Sequence, residues 1–165
     1  MPVLLKLVLF SACFLTALIA GLFYAYSCSV NTGLGRLSDG EYLRAMQSIN
    51  RAILNPWFFA SFIGTLILLP VCTWMAYRNE SASMTFYFLL TAALIYCIGV
   101  FGVTIFGNVP LNEILDKFDI GSATEQEIKV QRIAFEKQWN RFHLVRAIAS
   151  QISLVLTLAA LVIRL

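Results

Sequence analysis

A chain of 165 residues that is 59% hydrophobic, only 13% charged, and has a mean hydropathy of +0.78 holds more apolar surface than one core of that length can hide. An ordinary soluble domain runs at about 25% charged residues, so the composition calls for lipid as solvent. The formal charge of +3 is too small and too dispersed to suggest nucleic acid as a partner.

Four stretches, 7–26, 57–77, 84–106 and 144–163, reach the length of about 20 apolar residues that a spanning helix needs. None contains Asp or Glu, and the one basic residue inside any of them is Arg146. Helices are expected, because backbone in lipid must satisfy its own hydrogen bonds. The first run follows Lys6 and outlasts the roughly 7–15 residues of a signal-peptide core, which predicts a retained helix.

In chain order, Asn31-Thr32-Gly33-Leu34-Gly35 reads as a turn after the first span. Ser38 or Asp39 is placed to cap a short helix beginning near Glu41. Its face of Tyr42, Met46, Ile49 and Ile53, with Arg44, Ser48 and Arg51 outside that stripe, is amphipathic and predicts an interfacial position. Asn55-Pro56 opens the second span, and residues 78–83 make a tight polar hairpin to the third. There, Gly99 and Gly102 are expected to permit close helix contact. Beyond Gly107-Asn108-Val109-Pro110, the run Ser122-Ala123-Thr124-Glu125 reads as a capping box. No Pro or Gly follows it, so one helix from about 123 to 163 is predicted. At 1.5 Å per residue it is roughly 60 Å long, about twice the hydrocarbon thickness.

The fold class expected is all-α: an integral membrane four-helix bundle forming a single domain over residues 1–165. A helical cap made by the 1–2 and 3–4 connections (27–56 and 107–143) is expected on one face, opposite the hairpin. Of the 12 basic residues, nine (Arg36, Arg44, Arg51, Lys117, Lys129, Arg132, Lys137, Arg141, Arg146) fall on the cap side and three (Lys6, Arg78, Arg164) on the other. That bias predicts a multi-pass protein of the cell membrane with the long connections cytoplasmic. Cys13, Cys28, Cys72 and Cys97 lie in or beside apolar runs and form no CxxC pair; with one histidine in the chain, no metal site or cofactor is expected.

The chemistry-bearing residues concentrate where the last span begins. Trp139, His143, Arg146, Ser150 and Ser153 recur at helical spacing, which puts an indole, an imidazole, a guanidinium and two hydroxyls on one face. An arginine at this depth is costly and usually faces a bundle interior or a wet cavity. The competing reading has Arg146 snorkelling to headgroups, with Trp139 in the interfacial aromatic belt. Thr104, Asn108 and Asn112 make a second polar row, which stays on one face only if the helix persists past Pro110. Otherwise the asparagines are turn formers. Gln47 and Asn50 on the short helix are weaker candidates, and Tyr24, Tyr26 and Trp57 read as interfacial aromatics.

Three blocks of sequence resemble one membrane family, the anthrone oxygenase-like proteins (DUF1772). They are Gly21-Leu22-Phe23 through Ala45-Met46-Gln47-Ser48-Ile49-Asn50-Arg51 to Asn55-Pro56-Trp57; Asn108-Val109-Pro110-Leu111-Asn112; and Trp139-Asn140-Arg141-Phe142-His143-Leu144-Val145-Arg146. The resemblance implies a four-span fold and, for some members, similarity to fungal enzymes that oxidise polyketide anthrones with dioxygen and no evident metal or flavin. Many relatives carry asparagine where this chain has His143, which weakens any mechanism that relies on an imidazole throughout the family.

Carried onto this chain, the activity would be a cofactor-independent monooxygenation of a lipophilic aromatic or quinone-like small molecule. His143 would be the base and Arg146 the oxyanion partner, with Asn108, Asn112, Trp139 and Asn50 binding substrate. The alternative is a non-catalytic membrane module that binds a lipid or a protein partner through its cap. Transport is a third reading, and it would need a homo-oligomer, which the sequence leaves open.

Overall fold

Five helices account for almost all of the chain in the computed structural model, which describes residues 3–163. We label them α1 (Val3–Leu34), α2 (Asp39–Ala52), α3 (Pro56–Glu80), α4 (Met84–Asp116) and α5 (Glu125–Val162). Arg164, counted above in the charge asymmetry, lies outside the described residues. All but α2 are long and apolar enough to cross a membrane.

Their order around the bundle is cyclic: α1 packs on α3 and α5, and α4 packs on the same two from the other side. Neighbours run antiparallel. His143 meets Ser27 while Gln151 meets Ala20, and Ser153 meets Ala92 while Arg146 meets Thr104. In the most apolar window of each long helix only 28–39% of the residues are buried, so the outer surface is itself apolar. Phe10, Phe14, Trp74 and Ile98 are among its exposed side chains. Such a surface belongs in lipid.

Inside, the seams carry small hydroxyl residues. Thr16, Thr65, Thr73 and Thr157 are buried, and each donates to the carbonyl four residues back, which satisfies the hydroxyl without a cross-helix partner. A Cβ at Gly99 would come 2.7 Å from the Ala149 Cβ, so this glycine does let α4 and α5 approach closely. Gly102 does not. Its nearest neighbour is the Cys97 carbonyl of its own helix, and the second close approach of α4 to α5 is Gly107 against the Phe142 ring.

Two local expectations change and one open condition is resolved. Residues 31–34, which read as a turn, are helical, and the chain turns at 35–37 instead. Turn propensity is a weak bias, and here Leu34 packs into a hydrophobic cluster that rewards the extra turn. Second, α4 does run through Pro110. Just before it the helix is widened into π-helical turns at Tyr96–Gly102 and Thr104–Asn108. In an α-helix the proline ring would collide with the carbonyl four residues back; a wider turn relieves that contact. Third, the cap of α5 is Thr124 with Glu127, two residues beyond the expected Ser122–Glu125. Ser122 instead donates to Asp119 Oδ2 at 2.9 Å. This and the Gly121 N–H bond to Oδ1 hold the Asp119 carboxyl below its ordinary range.

At one end of the bundle, α2 packs on the first half of α5 and on the end of α4. Ser38 caps α2: its backbone N–H and its hydroxyl both donate to Glu41 Oε2, at 3.1 and 2.6 Å. Tyr42, Leu43, Met46, Leu115, Phe135 and Trp139 form the buried cluster between these elements. Arg132 ties the 35–39 segment to α5. It donates to the carbonyls of Leu37 and Gly35, pairs with Asp39 at 3.1 Å and Glu136 at 3.0 Å, and lies 4.5 Å above the Tyr42 ring.

Candidate functional site

Where this end unit meets the bundle, all five helices contribute to the wall of one cavity of about 360 Å³. Phe23 and Tyr26 come from α1, Ile49 and Asn50 from α2, Phe58 and Phe62 from the start of α3. Thr104, Asn108 and Asn112 come from α4, and Trp139, His143 and Arg146 from α5. Exposed Arg51, Glu113, Asp116 and Lys117 stand at its polar rim, where Arg51 and Asp116 pair at 2.6 Å.

The six residues singled out from sequence therefore line one space. Arg146 is 7% exposed and does not reach outward. Its guanidinium lies 4.8 Å from the Phe23 ring centroid and 5.5 Å from that of Trp139, and Nη1 donates to Thr104 Oγ1 at 3.3 Å. None of the ion pairs among the described residues involves it. The Trp139 ring stacks on His143 at 5.3 Å with a 9° interplanar angle, and its indole N–H donates to Asn112 Oδ1 at 2.9 Å. Tyr26 and Phe135 occupy more of the same indole's surroundings. Asn108, 1% exposed, uses its amide N–H on the Trp139 carbonyl at 3.3 Å.

Four buried polar atoms of the lining residues have no hydrogen-bond partner among the described residues: Asn50 Nδ2, Asn108 Oδ1, His143 Nδ1 and Arg146 Nε. Buried polar groups are nearly always paired, and four exceptions on one cavity mark a place built to be completed by something else. The atoms of Asn50 and Arg146 are donors, that of Asn108 is an acceptor, and His143 Nδ1 is one or the other according to the ring's tautomer. This divides roles that sequence could not divide. Arg146 and Asn50 have N–H groups without an acceptor among the described residues, whereas the unpaired atom of Asn108 is its oxygen.

Gln47, Ser150 and Ser153 do not join the site. Gln47 donates to the carbonyls of Leu115 and Phe118, fastening α2 to the end of α4. Ser150 donates to the Ala147 carbonyl and Ser153 to Ala92, both in the helix seam. Phe23 and Ser27 were not anticipated, and Tyr26, read above as an interfacial aromatic, stands in the wall. Ser27 Oγ lies 2.9 Å from His143 Nε2 although the two residues are 116 positions apart. Local spacing carries no signal for such a pair. Tyr26 and Ser27 sit in a π-helical turn, Tyr26–Val30, as Thr104 and Asn108 do on α4. Such turns are frequently found at functional sites.

Fold and cavity together define a class: a four-span helical membrane protein whose buried cation lines a cavity at one end of the bundle. The family model described as Anthrone oxygenase matches residues 57–156, and the chain belongs to that family, DUF1772. The matched segment holds Asn108, Asn112, Trp139, His143 and Arg146; Ser27 and Asn50 lie before it. Comparison with curated proteins and with solved structures gives no match.

Proposed function

We propose that this protein is a monooxygenase that converts a lipophilic anthrone-like ketone to the corresponding quinone with dioxygen. The observation that carries the reading is Arg146, a buried guanidinium on a cavity wall with no carboxylate partner among the described residues. An uncompensated cation in an apolar protein is expensive, and an anionic intermediate is what would compensate it. The family supplies the reaction class.

In the proposed sequence, the ring CH₂ conjugated with the ketone gives one proton to His143. The enolate oxygen is held by the N–H groups of Arg146 and Asn50. The enolate passes one electron to dioxygen, and the carbon radical and superoxide combine to form a C–O bond. The peroxide takes a proton back from His143, and the hydroperoxide loses water to leave a second C=O. One CH₂ and one O₂ thus become one C=O and one H₂O. Asn108, Asn112 and Trp139 shape and orient the substrate's place, and an apolar substrate reaches it by partitioning into the bilayer. We place the protein in the cell membrane with the 27–56 and 107–143 connections cytoplasmic and capping the bundle, in keeping with the nine basic residues of that side.

The test is quinone formation by purified protein supplied with an anthrone and dissolved oxygen. His143→Asn should reduce turnover about 10²-fold or more, the scale of general base catalysis. Undiminished turnover in that variant would remove His143 as the base. Activity lost on chelation and restored by one metal would replace the metal-free route. Saturable binding with no turnover of any aromatic ketone would make the site a binding site alone.

A further inference from the structure

We infer that Ser27 is a positioning residue that fixes the tautomer of His143, leaving Nδ1 as the proton-accepting atom. The role of that atom as the base rests on the function proposed above; the tautomer does not. Ser27 Oγ has two short contacts, 3.0 Å to the Phe23 carbonyl oxygen and 2.9 Å to His143 Nε2. A serine hydroxyl carries one proton and two lone pairs, and a carbonyl only accepts. The contact with Phe23 is a hydrogen bond only if Ser27 donates its proton there. The contact with His143 then needs its proton from Nε2–H. The reverse assignment would leave two oxygen lone pairs facing each other at 3.0 Å.

A neutral imidazole has one N–H, so Nδ1 keeps its lone pair. That atom is buried and has no hydrogen-bond partner among the described residues. The ring is also prevented from turning over to exchange its nitrogens. Trp139 stacks on it at 5.3 Å, Tyr26 lies 5.6 Å from its centre, and Phe23 meets it edge-on at 6.0 Å. Phe23 is therefore both the acceptor that orients Ser27 and a wall of the imidazole's slot. A hydroxyl on α1 sets which nitrogen of a residue on α5 keeps its lone pair.

The chain has one histidine, so ¹⁵N-histidine labelling gives a single unambiguous imidazole signal. Long-range ¹H–¹⁵N spectra of the full-length protein in lipid nanodiscs should show Nε2 protonated and Nδ1 bare. A wild-type spectrum with the proton on Nδ1 would overturn the inference without any variant. In Ser27→Ala, exchange of the Nε2 proton with water should quicken by about tenfold as its acceptor is lost, and Ser27→Thr should restore slow exchange. Unchanged exchange in Ser27→Ala would equally overturn it. Quinone formation is followed on the same samples. If wild type makes no quinone while the spectra behave as described, the base role fails and the Ser27–His143 pairing stands.

Discussion

Replacing Arg146 by methionine tells a ligand-directed cation from a structural one, because only the structural role predicts a loss of stability. Arg146 is 7% exposed. Among the described residues it makes one long hydrogen bond, 3.3 Å to Thr104, worth about 1.5 kcal/mol for a charged donor. Two ring contacts, at 4.8 and 5.5 Å, are worth about 1–2 kcal/mol each, since cation and rings are all desolvated. Against these stands an effective desolvation cost of several kcal/mol for a buried ion, with no carboxylate among the described residues to offset it. Methionine fills a similar length with no charge. Thr104 is not orphaned, since its hydroxyl still donates to the Val100 carbonyl at 2.7 Å. The ligand-free variant should therefore match wild type or exceed it by up to about 2 kcal/mol, in line with the neutral-to-stabilising effect of replacing buried ion pairs by apolar residues. For a chain of this size each kcal/mol is worth about 2–4 °C. Turnover should fall about 10²–10³-fold with loss of the oxyanion donor. The assay pairs thermal unfolding of the purified protein in detergent, followed by tryptophan fluorescence, with quinone formation. An unfolding midpoint that drops by several degrees would refute the reasoning and make Arg146 a packing element.

Three further outcomes follow from the fold. Gly99→Ala should cost about 1–3 kcal/mol by forcing α4 off Ala149, while Gly102→Ala costs under about 1 kcal/mol, both measured as unfolding midpoints. Hydrogen bonds from the Ser38 hydroxyl and N–H lower the Glu41 pKa. The first turn of α2 should accordingly gain stability above the ordinary carboxylate range and lose it as pH falls through the lowered value. Hydrogen exchange of the α2 amides across that window reads this, and Glu41→Gln should flatten the profile. With the exposed Cys28 and Cys97 removed, cysteines placed at Ser81 and Ser122 should label with a membrane-impermeant thiol reagent from opposite sides; labelling of both from one side would overturn the topology.

Much of the site was legible because a helix writes its faces into its sequence. Trp139, His143 and Arg146 share a face by spacing alone, and the absence of Pro and Gly after 124 predicts the unbroken α5. The asparagine row was legible only conditionally. Whether α4 survives Pro110 depends on the π-helical turns before it, and these have no periodic signature in the residues. The shifted Thr124 cap had a similar cause, since Ser122 found a nearer partner in Asp119. Gly102 looked equivalent to Gly99 because both are glycines in an apolar run; only the position of α5 separates them.

By itself the sequence determined the solvent, the number of spanning helices and the polar face of the last one. These are set by composition, by run length and by a 3.6-residue period, and each is a property of a segment taken alone. The tertiary structure decided what that face meets. It brought Ser27 and Phe23 of α1 to His143, set Asn50 of α2 on the cavity wall, and left Arg146 buried with no acid paired to it among the described residues. The physical reason is register. Helices in lipid slide and rotate against one another until small residues, hydroxyls and rings interlock, and that fit is a property of pairs of helices that no single stretch of sequence contains.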